Sequence, residues 1–203
     1  MQRRRALAFV NPANYYLLAG LILLGVSMYV PVFTGERTAR LEDRAAKIAA
    51  LLLEATLERP EGIGADDLEN VLGRFYALAV RDEAFLGDLT IVEPPLEGTL
   101  LTLRSKHYAF HLAVSPPEVP STRRDTLPAY EVVAWPLSAI GPAHSVFFVP
   151  DDAARAYTRN LSRGYYGLAE RRPLPGHCHR RTGALFDDQH TYRSRDDERW
   201  ITY

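Results

Sequence analysis

Residues 15 to 33, YYLLAGLILLGVSMYVPVF, form an uncharged run, and no other feature of the chain limits its fold so strongly. A helix rising 1.5 Å per residue needs roughly 20 such residues to cross the hydrocarbon core of a bilayer. Tyr15, Tyr16 and Tyr29 lie near the ends of the run, where interfacial aromatics sit. Pro31 and Gly35 predict a kink or a stop at the far end. Arg3, Arg4 and Arg5 precede the run, but no small-x-small site follows it in PVFTGERTAR, so the expectation is an uncleaved anchor rather than a signal peptide. Long segments translocate largely regardless of charge. The N-terminus is therefore expected inside, with residues 36 to 203 outside. This gives a single-pass protein of the inner (cytoplasmic) membrane, with a periplasmic domain and the lipid bilayer as one partner.

Beyond the run the helical period continues through Leu41, Ala45, Ile48, Leu52 and Ala55 and stops at Arg59-Pro60. The amphipathic half must bury its apolar stripe, by default within its own domain. A second helix is predicted from Asp66 or Asp67, where DDLE offers a capping carboxylate, with Leu68, Val71, Leu72, Phe75 and Leu78 on one face. From about residue 88 the period turns strand-like in LTIVEPP, TLLTLRS, YAFHLAVSPP, YEVVAWPL and SVFFVP, punctuated by proline and glycine. Consecutive short strands read as an antiparallel meander that needs a helix on its apolar face.

The predicted fold is therefore α+β: a long N-terminal transmembrane and amphipathic helix packed on a small antiparallel β-meander, with an irregular C-terminal tail. Its expected divisions are a cytoplasmic N-terminus at 1–14, a transmembrane helix at 15–34, an α+β domain at 35–150 and an arginine- and tyrosine-rich extension at 151–203.

Charge narrows the function. The formal net charge is −1, and the 24 basic residues, of which only Lys47 and Lys106 are lysines, are interleaved with 25 acids. Nucleic acid is not an expected partner on that balance. One cysteine cannot close an internal disulfide. No glycine-rich phosphate loop, nucleotide fingerprint or Gly-x-Ser-x-Gly elbow is present, and no cofactor is expected.

A long apolar helix running on into an amphipathic one is followed by YAFHL, by YEVVAWP, and by a glycine turn into a Phe-Phe strand, GPAHSVFFVPDD; the chain ends YRSRDDERWITY. In these features it resembles type IV pilin and type II secretion pseudopilin-like proteins. The resemblance implies a structural component of a membrane or envelope assembly, with other envelope proteins or further copies of itself as partners, and no enzymatic activity. Such proteins carry a leader ending in glycine, then a Phe-Thr-Leu-x-Glu start to the helix. ALAFVNPANYYLLAGLILLG holds neither the Gly-Phe junction nor an acid, which implies a permanently anchored relative outside the filament.

The stretch RRPLPGHCHRRTGALFDDQH, residues 171 to 190, holds the other candidates. His177, Cys178 and His179 are consecutive, so in an extended segment the histidines share a face and the thiol points away. A turn bringing Cys178 back, completed by His190 with Asp187 or Asp188, would assemble a thiolate, imidazole and carboxylate metal set. The stretch lacks Cys-x-x-Cys spacing, and the alternative is a solvated arginine-rich loop with a spare cysteine. As a nucleophile Cys178 would need a positioned base, which an adjacent histidine supplies poorly. His107 and His111 read as exposed strand histidines facing away from Tyr108 and Phe110, and His144 as a turn residue. Asn160-Leu161-Ser162 fits a glycosylation acceptor. In the extension, Arg163, Tyr165, Tyr166 and Trp200 have the composition of a partner-contact surface, unless the segment wraps the domain and buries its aromatics.

Two functions follow. One is a membrane-anchored structural or interaction protein that contributes no chemistry; the other is an anchored metal-binding or thiol-dependent protein centred on His177, Cys178, His179 and His190.

Overall fold

The computed structural model describes residues 12–57, 67–81, 88–115, 129–151, 153–181 and 190–203, with the side chains of 12–14 and 26–34 outside the description. Among the described residues two helices, α1 (Pro12–Leu57) and α2 (Leu68–Arg81), precede eight strands. These are β1 (Thr90–Ile91), β2 (Leu101–Arg104), β3 (Tyr108–Val114), β4 (Tyr130–Pro136), β5 (Val146–Pro150), β6 (Ala156–Thr158), β7 (Thr191–Arg193) and β8 (Arg199–Thr202). The chain divides into two compact units, Met1–Ala39 and Arg40–Tyr203.

In the first unit the described side chains from Tyr15 to Gly25 are exposed. Among the described residues no helix is long and apolar enough to cross a membrane. This overturns the expected transmembrane segment, and with it the signal anchor and the single-pass inner-membrane location.

The second unit corrects the expected fold class as well. The strands form one eight-stranded sheet in the order β1-β2-β3-β4-β5-β6-β8-β7, antiparallel at every pairing. It is not a small meander beside an irregular tail, because three strands come from the extension expected to lack order. Those strands are only three or four residues long, and arginines alternate with their aromatics. Tyr192 is buried between half-buried Thr191 and exposed Arg193, and Trp200 lies buried beside exposed Arg199. One or two inward residues per strand leave almost no period for a sequence reading to find.

Side-chain alternation assigns each face of the sheet its cover. Leu101, Leu103, Tyr108, Phe110, Leu112, Tyr130, Val132, Ala134, Phe147 and Val149 form one core with Ala45, Ile48, Leu52 and Ala55 of α1 and Val71, Phe75, Leu78 and Ala79 of α2. Both helices present the stripes that their spacing predicts. Full burial of a side chain such as Phe75 contributes about 1.5–3 kcal/mol. Two polar ties fix the helix layer: Glu42 accepts from the backbone of Ser145 at 3.0 Å, and Arg44 pairs with Asp88.

The opposite face holds Ala109, Val133, Trp135, Val146, Phe148 and Ala156, packed against Tyr165, Cys178, Tyr192 and Trp200. Antiparallel sheets commonly leave one face to water. Here the chain after β6 folds back over that face, which is why all seven residues of β4 are buried.

Candidate functional site

Two buried ionisable side chains of the sheet, His111 and Glu131, lie on the face covered by the C-terminal segment. Register aligns Thr102, His111, Val133, Phe148 and Ala156 in one row across the sheet, and the next row pairs Ala113 with Glu131. Glu131 is the second residue of β4 and has no exposed surface. An isolated carboxylate there would cost several kcal/mol. Its Oε1 accepts from the Gly176 backbone N–H at 2.8 Å. Its Oε2 accepts from Ser115 Oγ at 3.3 Å and lies 2.7 Å from His179 Nε2. With both oxygens accepting, the network assigns the His179 proton to Nε2. Two of the three partners belong to the segment 163–181, so Glu131 latches that segment to the sheet.

Further contacts hold the same segment. Trp135 Nε1 donates to the Gly167 carbonyl at 2.6 Å, and the Gly167 N–H donates to the Pro136 carbonyl at 3.2 Å. Tyr192 donates through its hydroxyl to the Cys178 carbonyl at 3.0 Å. The His179 ring stands edge-on to Phe148 with centroids 4.9 Å apart. A second buried acid repeats the device: Glu198 accepts from Thr158 Oγ1 at 2.7 Å and from the backbone N–H groups of Ser162 and Arg163 at 3.2 and 2.6 Å.

His111 differs from these. It has no exposed surface, and neither ring nitrogen has a hydrogen-bond partner among the described residues. Its ring lies 5.2 Å from that of Trp135. Burial holds its pKa down at about 4, with Glu131 pulling it up and Arg172 pushing it further down. It is therefore neutral inside the domain near pH 7. The exposed position expected for it is corrected: the chain after β6 covers this face of the sheet, while its orientation away from Tyr108 and Phe110 follows the strand alternation.

The candidate metal and thiol residues do not converge. Cys178 and His179 are buried, His177 is half-buried and His190 is exposed, while Asp187 and Asp188 lie outside the described residues. His179 spends its Nε2 on Glu131. Burial pushes the Cys178 thiol well above its ordinary pKa, and Glu131 and Glu198 push it in the same direction. Such a thiol is a small core hydrophobe rather than a nucleophile. Among the described residues no group of three or more His, Cys, Asp or Glu side chains could hold a metal ion.

The expected contact residues mostly point inward. Tyr165 is 5% exposed and Trp200 is fully buried. Arg163 is exposed but donates from Nε to the Asp196 carbonyl. Tyr166 is half-buried beneath the Arg171 guanidinium, 5.4 Å from its ring centroid. Asn160, the expected glycan acceptor, has a left-handed φ of 59° and donates from Nδ2 to the Tyr165 carbonyl at 2.8 Å. Its amide is thus a structural clamp of the turn. Half-buried His107 precedes β3, and His144 is exposed in the β4–β5 turn.

Sequence reasoning missed Glu131, Ser115, Gly176 and Glu198. For Glu131 a signal existed: YEVVAWP places one acid in an otherwise apolar strand, and an acid there needs partners if both faces are buried. Compared with known proteins, the chain matches no family model, no curated protein and no solved structure, so its likeness to the pilins rests on the short motifs alone.

Proposed function

We propose that this chain is a structural or interaction protein, not an enzyme, and that it assembles with further copies of itself through the apolar helix of its first unit. The observation that carries this reading is the exposure of that helix on every side. Tyr15, Tyr16, Leu17, Leu18, Leu21, Ile22, Leu23 and Leu24 are exposed by between 57% and 79%. At 100° per residue they cover the full circumference, and a helix apolar all round belongs in an interior. Contiguous apolar surface of this extent marks an interaction site.

The chemistry selects the occupant. The stretch carries no charge from residue 15 to 33, so an acidic or basic partner gains nothing from it, whereas a like helix matches it in character and length. One neighbour covers one face only, so the assembly is a bundle of at least three helices. The pilin resemblance, in which the corresponding helix supports assembly, favours the same reading. The polar clusters of the second unit serve its architecture, since Glu131, His179 and Cys178 are all committed to internal contacts.

Site-directed cross-linking tests it. Cys178 is buried, so a cysteine introduced as Leu21→Cys is the one that oxidation finds. Intermolecular disulfides at position 21, with none from an Ile140→Cys control on an exposed turn of the second unit, are the expected result. Absence of cross-links at position 21 while the chain partitions onto phosphatidylglycerol vesicles would overturn it.

A further inference from the structure

We infer that residues 163–181 form a pH-gated strap, latched to the sheet through Glu131 and released when His111 takes up a proton, which uncovers the row running from Thr102 through His111 to Val133. The strap is a distinct layer. It contains no named strand of the sheet; Gly167 bonds Trp135 and Pro136, Gly176 and His179 bond Glu131, and its two ends are tied to β7 and the β7–β8 turn through Arg163 with Glu198 and Asp196, Cys178 with Tyr192, His179 with Arg195 and Arg181 with Arg193. Beneath it lies the one buried imidazole whose nitrogens have no partner among the described residues. A closed strap therefore has no acceptor ready for an imidazolium N–H at position 111, and water supplies one once the strap lifts.

The groups facing His111 set the direction of the gate. From β4, Glu131 favours its protonation; from the strap, Arg172 opposes it, and burial opposes it most. Thr102, its partner on β2, is uncharged. His179 and Cys178 on the strap are engaged with Glu131 or shielded from solvent, and Glu198 of the β7–β8 turn acts on Cys178. Closed, His111 binds its proton with a pKa of about 4; open, it returns to its ordinary 6.5. Because the open form binds the proton more tightly, acid shifts the equilibrium toward opening. Between pH 7.5 and 5.0 the linkage amounts to roughly a 25-fold rise in the open fraction. Asp196, whose pKa burial raises, responds in the opposite sense: protonating it favours the closed form, so it cannot imitate this signature.

Hydrogen exchange of the full chain, corrected for intrinsic rates and followed by mass spectrometry at pH 7.5 and 5.0, tests the gate. Peptides covering 165–181 are expected to open roughly 25-fold more at pH 5.0, while peptides from β3 and β4 stay more protected than the strap at both pH values. His111→Phe and, as a second packing solution, His111→Leu are expected to abolish the difference. A pH response that persists in either variant, or strap peptides that lose protection only together with β3 and β4, would overturn the inference. The comparison of strap with sheet in the unmodified chain decides it even where a variant does not fold.

Discussion

Glu131 Oε2 and His179 Nε2 stand 2.7 Å apart across 48 residues of chain, and this contact joins the C-terminal segment to the centre of the sheet. Replacing Glu131 by Ala leaves the Gly176 N–H, Ser115 Oγ and His179 Nε2 without their shared acceptor in a dry site. The expected cost is about 3–5 kcal/mol, read as a lower urea midpoint. Glu131→Gln keeps an oxygen for Gly176 and is expected to cost less than half as much. Equal losses for the two variants would show that the carboxyl's hydrogen bonds do not hold the segment.

Stability should fall on acidification well before the carboxylates titrate. His111 has a folded pKa of about 4 against 6.5 when exposed, so the unfolded chain binds the proton first. Its penalty is absent at pH 7.5, grows as the pH falls through 6.5 and levels off near 4. From pH 7.5 to 5.0 the loss is about 2 kcal/mol, measured by urea unfolding, and His111→Phe should flatten that limb. Asp88 adds a separate, lower limb. Burial pushes its carboxyl up, but the Lys106 N–H and Arg44 outweigh this and hold it below its usual 3.8. Its contribution is present above 3.8 and is lost as the pH falls through the depressed value.

Cys178 should resist thiol reagents while the domain is folded. It has no exposed surface and its pKa is raised, so both access and ionisation oppose reaction. Labelling with a chromogenic disulfide at pH 8 should be at least 100-fold slower in buffer than in 6 M urea, on the order expected for a site reached only by opening. Rapid labelling of the folded chain would contradict this burial. His179→Ala removes a hydrogen-bond partner of Glu131 and should destabilise the fold by itself, so its effect does not report metal binding.

Trp200 separates an architectural tail from a contact surface. It is fully buried, with its ring stacked on Tyr192 at 6.5 Å. Trp200→Ala should cost about 3–5 kcal/mol in thermal or urea unfolding. A residue serving only a partner would leave the isolated chain's stability unchanged.

The helix stripes and the strands YAFHLAV, YEVVAWP and VFFVP were legible because each carries enough consecutive signal to set a period. Leu68, Val71, Leu72, Phe75 and Leu78 recur at helical spacing, and Tyr108, Phe110 and Leu112 at two. The short strands of the C-terminal segment were not legible, since β6 has only three residues and β7 and β8 each supply one buried aromatic beside arginines. That single omission propagated. Without a cover on the second face, His111 reads as exposed, Trp200 and Tyr165 read as contact residues, and the acid in YEVVAWP raises no question. The grouping of Cys178 with His177 and His179 followed from adjacency in sequence, whereas the partner of His179 lies on another strand and is visible only once the register of β3 and β4 is known.

Sedimentation velocity of the full chain across a hundredfold concentration range decides whether copies of the chain assemble through the apolar helix. The expected result is a concentration-dependent assembly of three or more copies that Leu18→Asp with Leu21→Asp converts to monomer without changing the urea midpoint of the second unit. A monomer at all concentrations, or an assembly indifferent to those two substitutions, would contradict it.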